Sequence, residues 1–323
     1  MDVRAIYESI PNAPQCHCSM LHKFLDGTLI CAFFAGSHEK ARDVAIYASF
    51  GDETGSNWSQ PRKIANTVNR SNGSPVFYET PDGKLFLFYH AMHHGRFIEG
   101  GWSVVNIRYK TSNNNGKSWD DWRWLRRNWF WVLRCRPYLL ENGSVILPVH
   151  REMFKYKSFF YINSKPDLNG RWTKTGYLDT PNGCLEPSVC SLGNGNLLCS
   201  LRTKDKLVYF SRSEDYGHSW SEPEPSGFKN PSSQTDIYRT RSGKIVLVLN
   251  DREQGRYSLS YAISEDNGYT WSESKIIAAA PQESPEYGAG YSYPSIIELN
   301  NGNILVSYTH LRRQIYRANL GKI

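Results

Sequence analysis

The sequence predicts an all-β, six-bladed β-propeller, and the prediction rests on two interleaved repeats and the near absence of a helical period. The first repeat is a Gly-led apolar strand. It reads DGTLICAFFA from Asp26, DGKLFLFYHA from Asp82, NGSVILPVHR from Asn142, NGNLLCSLRT from Asn194, SGKIVLVLND from Ser242 and NGNILVSYTH from Asn301. Its glycines fall at 27, 83, 143, 195, 243 and 302, in steps of 56, 60, 52, 48 and 59 residues. Each is preceded by another short apolar run, such as PSVCSL or PSIIEL, so the Gly occupies a hairpin turn that needs φ > 0. Hairpins spaced by about 50 residues are the signature of radially repeated four-stranded blades.

The second repeat, S-x-D-x-G-x-[ST]-W, is clear at residues 213–220 and 264–271. It is altered at 112–119, where Asn114 stands for Asp, and eroded around Trp58 and Trp172. It has the logic of a tight turn: Asp bonds backbone amides, Gly takes the strained position and Trp packs the blade edge. These Asp residues therefore read as structural, not as catalytic or metal-binding. The last blade has its hairpin and one further strand, QIYRANL, so the N-terminal segment VRAIYES is expected to supply its outer strand and close the ring. Helix-period patterning is nearly absent. A single domain over residues 1–323 is expected.

Composition narrows the function. The chain carries 38 Lys+Arg against 31 Asp+Glu, a net charge of +7. Its mean hydropathy is −0.55, and no apolar run reaches the roughly 18 residues of a membrane span. The start, MDVRAIYESIPNAPQ, lacks the continuous apolar stretch of a secretory signal, so a cytoplasmic protein without membrane attachment is expected. The densest basic stretch, residues 122–136, mixes Arg with Trp and reads as a solvated strand-and-loop face, not a nucleic-acid site. Mild positive charge suits an anionic substrate. Seven Cys without a CxxC pair or metal spacing read as reduced, mostly buried thiols. No metal and no organic cofactor is implied.

Strand parity locates the chemistry. Gly hairpins and Trp-bearing turns occupy one face of the blades, so a ligand funnel is expected on the other, where first strands begin and second strands end. First-strand starts contribute His17, Ser74, Arg136, Glu186, Asn230 and Tyr293. Second-strand ends contribute His38, Glu39, Asp43, His90, His93, His94, His150, Arg151 and Glu152, then Arg202, Asn250, Asp251, Arg252, Arg256, His310, Arg312 and Arg313. Such a concentration of ionisable groups is a candidate site, with about half expected to cap strands or pair with one another.

The Trp-bearing turn resembles the Asp-box of the sialidase-like (BNR, Asp-box) propellers, over nearly the whole chain. The segment GYSYPSIIELNNG is similar to the sialidase nucleophile segment, which makes Tyr293, nine residues before Gly302, the implied nucleophile and Tyr291 the fallback. LEPSVCSLGNGNLLCSLR resembles the segment whose Glu activates that Tyr and whose Arg binds the sugar carboxylate, here Glu186 and Arg202. GRYSLSYAISEDNGYTW resembles the segment with a further carboxylate-binding Arg, here Arg256. GSHEKARDVAI lies where sialidases carry the acid/base carboxylate, which makes Glu39 the implied acid and Asp43 the alternative. Where sialidases begin the first blade with a third Arg, this chain has Cys16-His17-Cys18, so His17 holds that place and Arg136 is a candidate substitute. Arg252 and His38 complete the expected substrate-binding set.

The residue types fit the chemistry. A sialic acid carries a carboxylate on its anomeric carbon and repels an anionic nucleophile, whereas a Tyr held by Glu attacks while nearly neutral. Arg forks a carboxylate with two charge-assisted hydrogen bonds. An acid at Glu39 needs a raised pKa. The leading expectation is a retaining exo-glycosidase that removes a terminal acidic sugar through Tyr293, with a carbohydrate as partner. A uronic-acid lyase or atypical glycosidase, with His17 as base, Tyr293 as acid and Arg202 as neutraliser, is the first alternative. A non-catalytic glycan-binding propeller is the second.

Overall fold

The Gly-led apolar runs are strands: Leu29–Gly36, Leu85–Met92, Val145–Arg151, Asn196–Thr203, Ile245–Leu249 and Asn303–His310. The six hairpin glycines before them have φ between +79° and +91°. Three of these strands, Leu29–Gly36, Leu85–Met92 and Ile245–Leu249, are buried at every residue. A continuous apolar run is what a strand covered on both faces requires. The structure is a computed structural model and describes residues 1–95, 98–127, 129–280 and 290–323.

The chain divides into two compact units, Met1–Leu133 with Tyr293–Lys322, and Arg134–Ser292 with Ile323. The first unit holds three antiparallel sheets. One runs Gln15–Lys23, Leu29–Gly36, Ala45–Gly51, Arg62–Ala65, and the next Asn72–Glu79, Leu85–Met92, Val105–Ser112, Arg123–Arg126. The third runs Tyr291–Glu298, Asn303–His310, Gln314–Lys322, Asp2–Ala5. Its outer strand is the N-terminal one, with Asp2 opposite Asn319 and Ala5 opposite Tyr316, as expected for the closing strand.

The second unit holds the other three sheets. Tyr138–Leu139 pairs with Val145–Arg151, followed by Lys157–Asn163 and Trp172–Lys174. Cys184–Gly193, Asn196–Thr203, Leu207–Ser213 and Glu224–Lys229 form the next sheet, and Asp236–Arg239, Ile245–Leu249, Ser258–Ser264 and Lys275–Ala279 the last. Together the two units supply the six blades. Among the described residues the helical structure is the three-residue turn Trp102–Val104, and no helix is long and apolar enough to cross a membrane.

The core lies between consecutive sheets. In the first unit Leu29, Phe33, Leu299, Leu305 and Ile315 share one cluster. In the second, Ile146 and Phe160 meet Val189 and Leu197, while Cys190 and Leu198 meet Ile237 and Leu247. The Trp-bearing turns work as their pattern requires. The Asp266 carboxylate accepts from the Thr270 amide (2.8 Å) and hydroxyl (2.6 Å) and from Ser264 Oγ (2.8 Å), while Ser264 Oγ accepts from the Gly268 amide (2.8 Å). These bonds, the Thr270 hydroxyl first, bring the Asp266 carboxyl down to about 2. Trp220 Nε1–H donates to the Gly217 carbonyl (2.8 Å), and its ring stacks on Phe160 of the preceding sheet at 4.3 Å. The Trp thus fastens one sheet to the next.

Candidate functional site

The inner strands carry a recurrent irregularity that aims side chains. Cys18, Ser74, Glu186 and Tyr293 all have left-handed backbones, with φ of 60°, 47°, 51° and 55°. At three of them the strand bulges against its partner, between His17 and Met20, Gly73 and Val76, and Leu185 and Ser188. Ser74, Glu186 and Tyr293 each precede a proline, which has no amide for a bulge to leave unpaired. A left-handed residue with a large side chain costs about 1–2 kcal/mol, and bulges recur where a side chain is re-aimed at a functional site. By backbone conformation the counterpart of Tyr293 and Glu186 in the first sheet is Cys18, and His17 stands one residue before it.

In the second unit Glu186, Arg202 and Arg256 form one charged cluster. Arg202 Nη1–H donates to Glu186 Oε2 at 2.8 Å. Its Nε–H donates to Ser232 Oγ (3.3 Å), and Arg256 Nη2–H donates to the Ser232 carbonyl (3.2 Å). Two guanidinium groups therefore converge on one serine. The Glu186 amide donates to His150 Nδ1 (3.3 Å), and His150 Nε2 faces Glu152 Oε1 (3.2 Å). With Nδ1 accepting, the His150 proton sits on Nε2 and points at Glu152. Burial pushes the Glu186 carboxyl up, but the guanidinium groups of Arg202 and Arg134 outweigh it and hold the group below its ordinary range. The group is an ionised carboxylate at neutral pH. Arg256 is tied to the strand that leads to Tyr293, since the Tyr291 amide donates to its carbonyl at 2.8 Å. Tyr291 itself is buried.

In the first unit Tyr293 packs against His17, ring centroids 4.4 Å apart and 79° between planes. Thr309 Oγ1 accepts from the Cys18 amide (3.0 Å) and lies 3.1 Å from His17 Nδ1. Glu39 stands apart from the expectation of a raised pKa. Burial raises it, but Arg312, whose Nη1 pairs with its Oε2, and Trp102, whose Nε1–H donates to Oε1 at 2.9 Å, bring it below the usual range. Asp43, the alternative acid, closes its own loop: its two oxygens accept from the Ser37 amide and hydroxyl, both at 2.9 Å. His38 is exposed beside that hydroxyl, 3.2 Å away.

Several candidates have other company. Arg136 pairs with Asp236, a buried carboxylate that also accepts from Ser188 Oγ at 2.7 Å, so its guanidinium is engaged within its own unit. Arg252 bonds the Gln254 carbonyl (2.6 Å) and lies over the Tyr257 ring. Glu152 pairs with His150, and Arg151 lies over Tyr177. In the Trp-rich run, Trp122 and Trp124 both pack on Arg108, at 3.8 and 4.6 Å. Of the loop HAMHHGRFIEGGW, residues 96 and 97 lie outside the described residues. Arg134, Ser232, Trp102 and Thr309 belong to these clusters and were missed. The recurring X-Pro at inner-strand starts pointed to the strands but not to these partners. Among the described residues no group of three or more His, Cys, Asp or Glu is set to hold a metal ion.

Comparison with known proteins agrees with the fold. No curated protein matches the chain. Among solved structures, a Dyadobacter fermentans protein of unknown function superposes with a TM-score of 0.82 at 16% identity, covering 99% of each chain. The NanB sialidase of Streptococcus pneumoniae gives 0.79 at 15% identity, over 98% of this chain and 70% of that one. The intramolecular trans-sialidase of Ruminococcus gnavus gives 0.76 at 16%, over 96% and 95%. At these identities the likeness shows the fold, a six-bladed β-propeller of sialidase type. Residues 27–306 match the BNR repeat-like domain, and the chain belongs to that family.

Proposed function

We propose that the chain is a retaining exo-glycosidase of sialidase type that releases a terminal acidic sugar. The observation that carries this reading is the convergence of Arg202 and Arg256 on Ser232, with Arg202 also bonded to Glu186. Two guanidinium groups beside one ionised carboxylate make a site that takes a carboxylate from the substrate and a proton from a nucleophile. As the resemblance of their segments to sialidase ones implies, the Tyr293 oxygen bonds to the anomeric carbon as its proton passes to Glu186. The glycosidic bond breaks, and its oxygen receives a proton from Glu39, which is ionised in the empty protein and takes that proton from solvent once substrate is bound. Water, losing its proton to the Glu39 carboxylate, then attacks the same carbon, and the proton on Glu186 returns to the departing Tyr293. Two displacements give retention. The sialidases among the structural relatives support a sugar of the sialic acid type.

Tyr293→Phe is the test, with the 4-methylumbelliferyl glycoside of N-acetylneuraminic acid as substrate. Hydrolysis should fall by about a thousandfold or more while Tm stays near wild type. Unchanged turnover in that variant would remove the nucleophile assignment. The edge-on His17–Tyr293 pair at 4.4 Å favours a second reading, elimination from a uronic acid with His17 as base. Elimination leaves an unsaturated sugar that absorbs in the ultraviolet, and hydrolysis does not.

A further inference from the structure

The hairpin between Asn303–His310 and Gln314–Lys322 is closed by a turn in which the Arg313 amide donates to the His310 carbonyl at 3.0 Å. Its two central residues, Leu311 and Arg312, have φ of 52° and 56°. Turns with two positive φ values are normally filled by Asn-Gly, because any larger side chain is strained there. Here two large side chains hold those positions, and the Cys16 amide fixes the turn by donating to the Arg312 carbonyl at 2.8 Å. The strain delivers the Arg312 guanidinium onto Glu39, whose other oxygen takes the Trp102 indole N–H. It also brings that guanidinium into the electrostatic reach of Tyr293 and Cys18.

The two side chains of the ion pair are half-buried, 28% and 24% exposed, so each keeps a face open to water. The same openness lets a ligand reach both groups. A guanidinium within electrostatic reach of the candidate nucleophile, with a carboxylate already on it, is occupied by the kind of group an acidic sugar would bring.

We propose that Arg312 is a specificity-determining, anion-binding residue, whose guanidinium exchanges Glu39 for the carboxylate of an acidic sugar. This rests on the acidic-sugar reading given above. It also assigns Glu39 two successive conditions: ion-paired in the empty protein, and released from its counter-charge when substrate binds, so that it can take up the proton that leaving-group departure needs.

The test is calorimetric titration of N-acetylneuraminic acid and of its methyl ester into wild type, Arg312→Asn, Glu39→Gln and Arg202→Ala. Asn suits a left-handed turn, so Arg312→Asn should keep or raise Tm. It should lose about tenfold or more in affinity for the acid and no more than about twofold for the ester. Glu39→Gln removes the resident competitor and should bind the acid several-fold more tightly, a gain that a merely structural pair would not give. Equal weakening of acid and ester in Arg312→Asn, wild-type affinity in that variant, or no gain in Glu39→Gln would overturn the exchange while Arg202→Ala still loses the acid. Wild type that fails to prefer the acid over the ester would overturn the acidic-sugar reading, and this inference with it.

Discussion

Glu186 carries a charge at 6% exposure on a left-handed backbone, and its neighbours must offset both costs. Arg202 supplies the countercharge at 2.8 Å, and His150 takes the backbone amide that the bulge releases. Glu186→Gln keeps the shape and removes the charge, leaving Arg202 facing an amide. We expect it to cost about 2 kcal/mol at neutral pH. The sign of the pH dependence follows from the carboxyl lying below its ordinary value of 4.5 when folded. Its contribution is complete above pH 4.5 and is lost as the pH falls through the lower folded value. Urea unfolding of wild type and variant should therefore differ most near pH 7 and converge in acid, and an equal gap at both would mean that the ionised pair is not the source. Glu186 and Arg202 were legible because strand parity put both on the funnel face and their segment, LEPSVCSLGNGNLLCSLR, resembles a sialidase one. The setting of Glu39 was not. Its partners Arg312 and Trp102 lie 273 and 63 residues away, and no local pattern reports a pairing over that distance. Ser232 was equally hidden, since it receives Arg256 through its carbonyl, which any residue possesses.

At the scale of the element, hairpins and Trp-bearing turns repeat because two backbone demands repeat, and two glycines separate those demands. Gly143 has φ of +81° and open space around the position of a Cβ. Gly217 has φ of +84°, and a Cβ there would lie 2.6 Å from Ile146 Cδ1 of the preceding sheet and 3.2 Å from Leu197 Cδ1. Gly143→Ala should cost about 1 kcal/mol, the backbone term alone, and Gly143→Asn still less, because Asn tolerates the left-handed region. Gly217→Ala should cost about 2–3 kcal/mol, because the sheet-to-sheet contact must also shift. Denaturant midpoints for the three variants check the order, and equal losses for Gly143→Ala and Gly217→Ala would deny the close approach. These elements were the most legible part of the chain: a turn that needs Gly must show Gly. The eroded turn at Trp58 was harder to read. There Asp52 accepts from the Thr54 and Ser56 amides and Trp58 Nε1–H donates to the Gly55 carbonyl at 3.0 Å, so the geometry persists where the spacing drifted.

For the whole molecule, seven buried thiols report how the two units open. Cys16, Cys18 and Cys31 lie in the first unit, and Cys135, Cys184, Cys190 and Cys199 in the second, all reduced and buried. Burial pushes Cys16, Cys31 and Cys190 up to about 12, so at pH 8 roughly one in ten thousand of each is thiolate, the form that reacts. The native protein should therefore resist a maleimide. Within each unit, consecutive sheets share clusters: Cys16 and Cys31 lie with Leu299 and Leu305 of the neighbouring sheet, and Cys184 and Cys199 with Ile146 and Phe160. Cys190 faces the other way, toward Ile237 and Leu247. A sheet cannot leave without uncovering the face of the next, at about 1.5–3 kcal/mol for each large apolar side chain exposed. Opening should then be cooperative within a unit. Pulsed labelling across a urea series, read by intact mass and peptide mapping, should show Cys16, Cys18 and Cys31 reacting as one set and the other four as one set. Singly labelled molecules that accumulate ahead of these sets would mean that sheets detach one at a time, and that the shared clusters do not couple them.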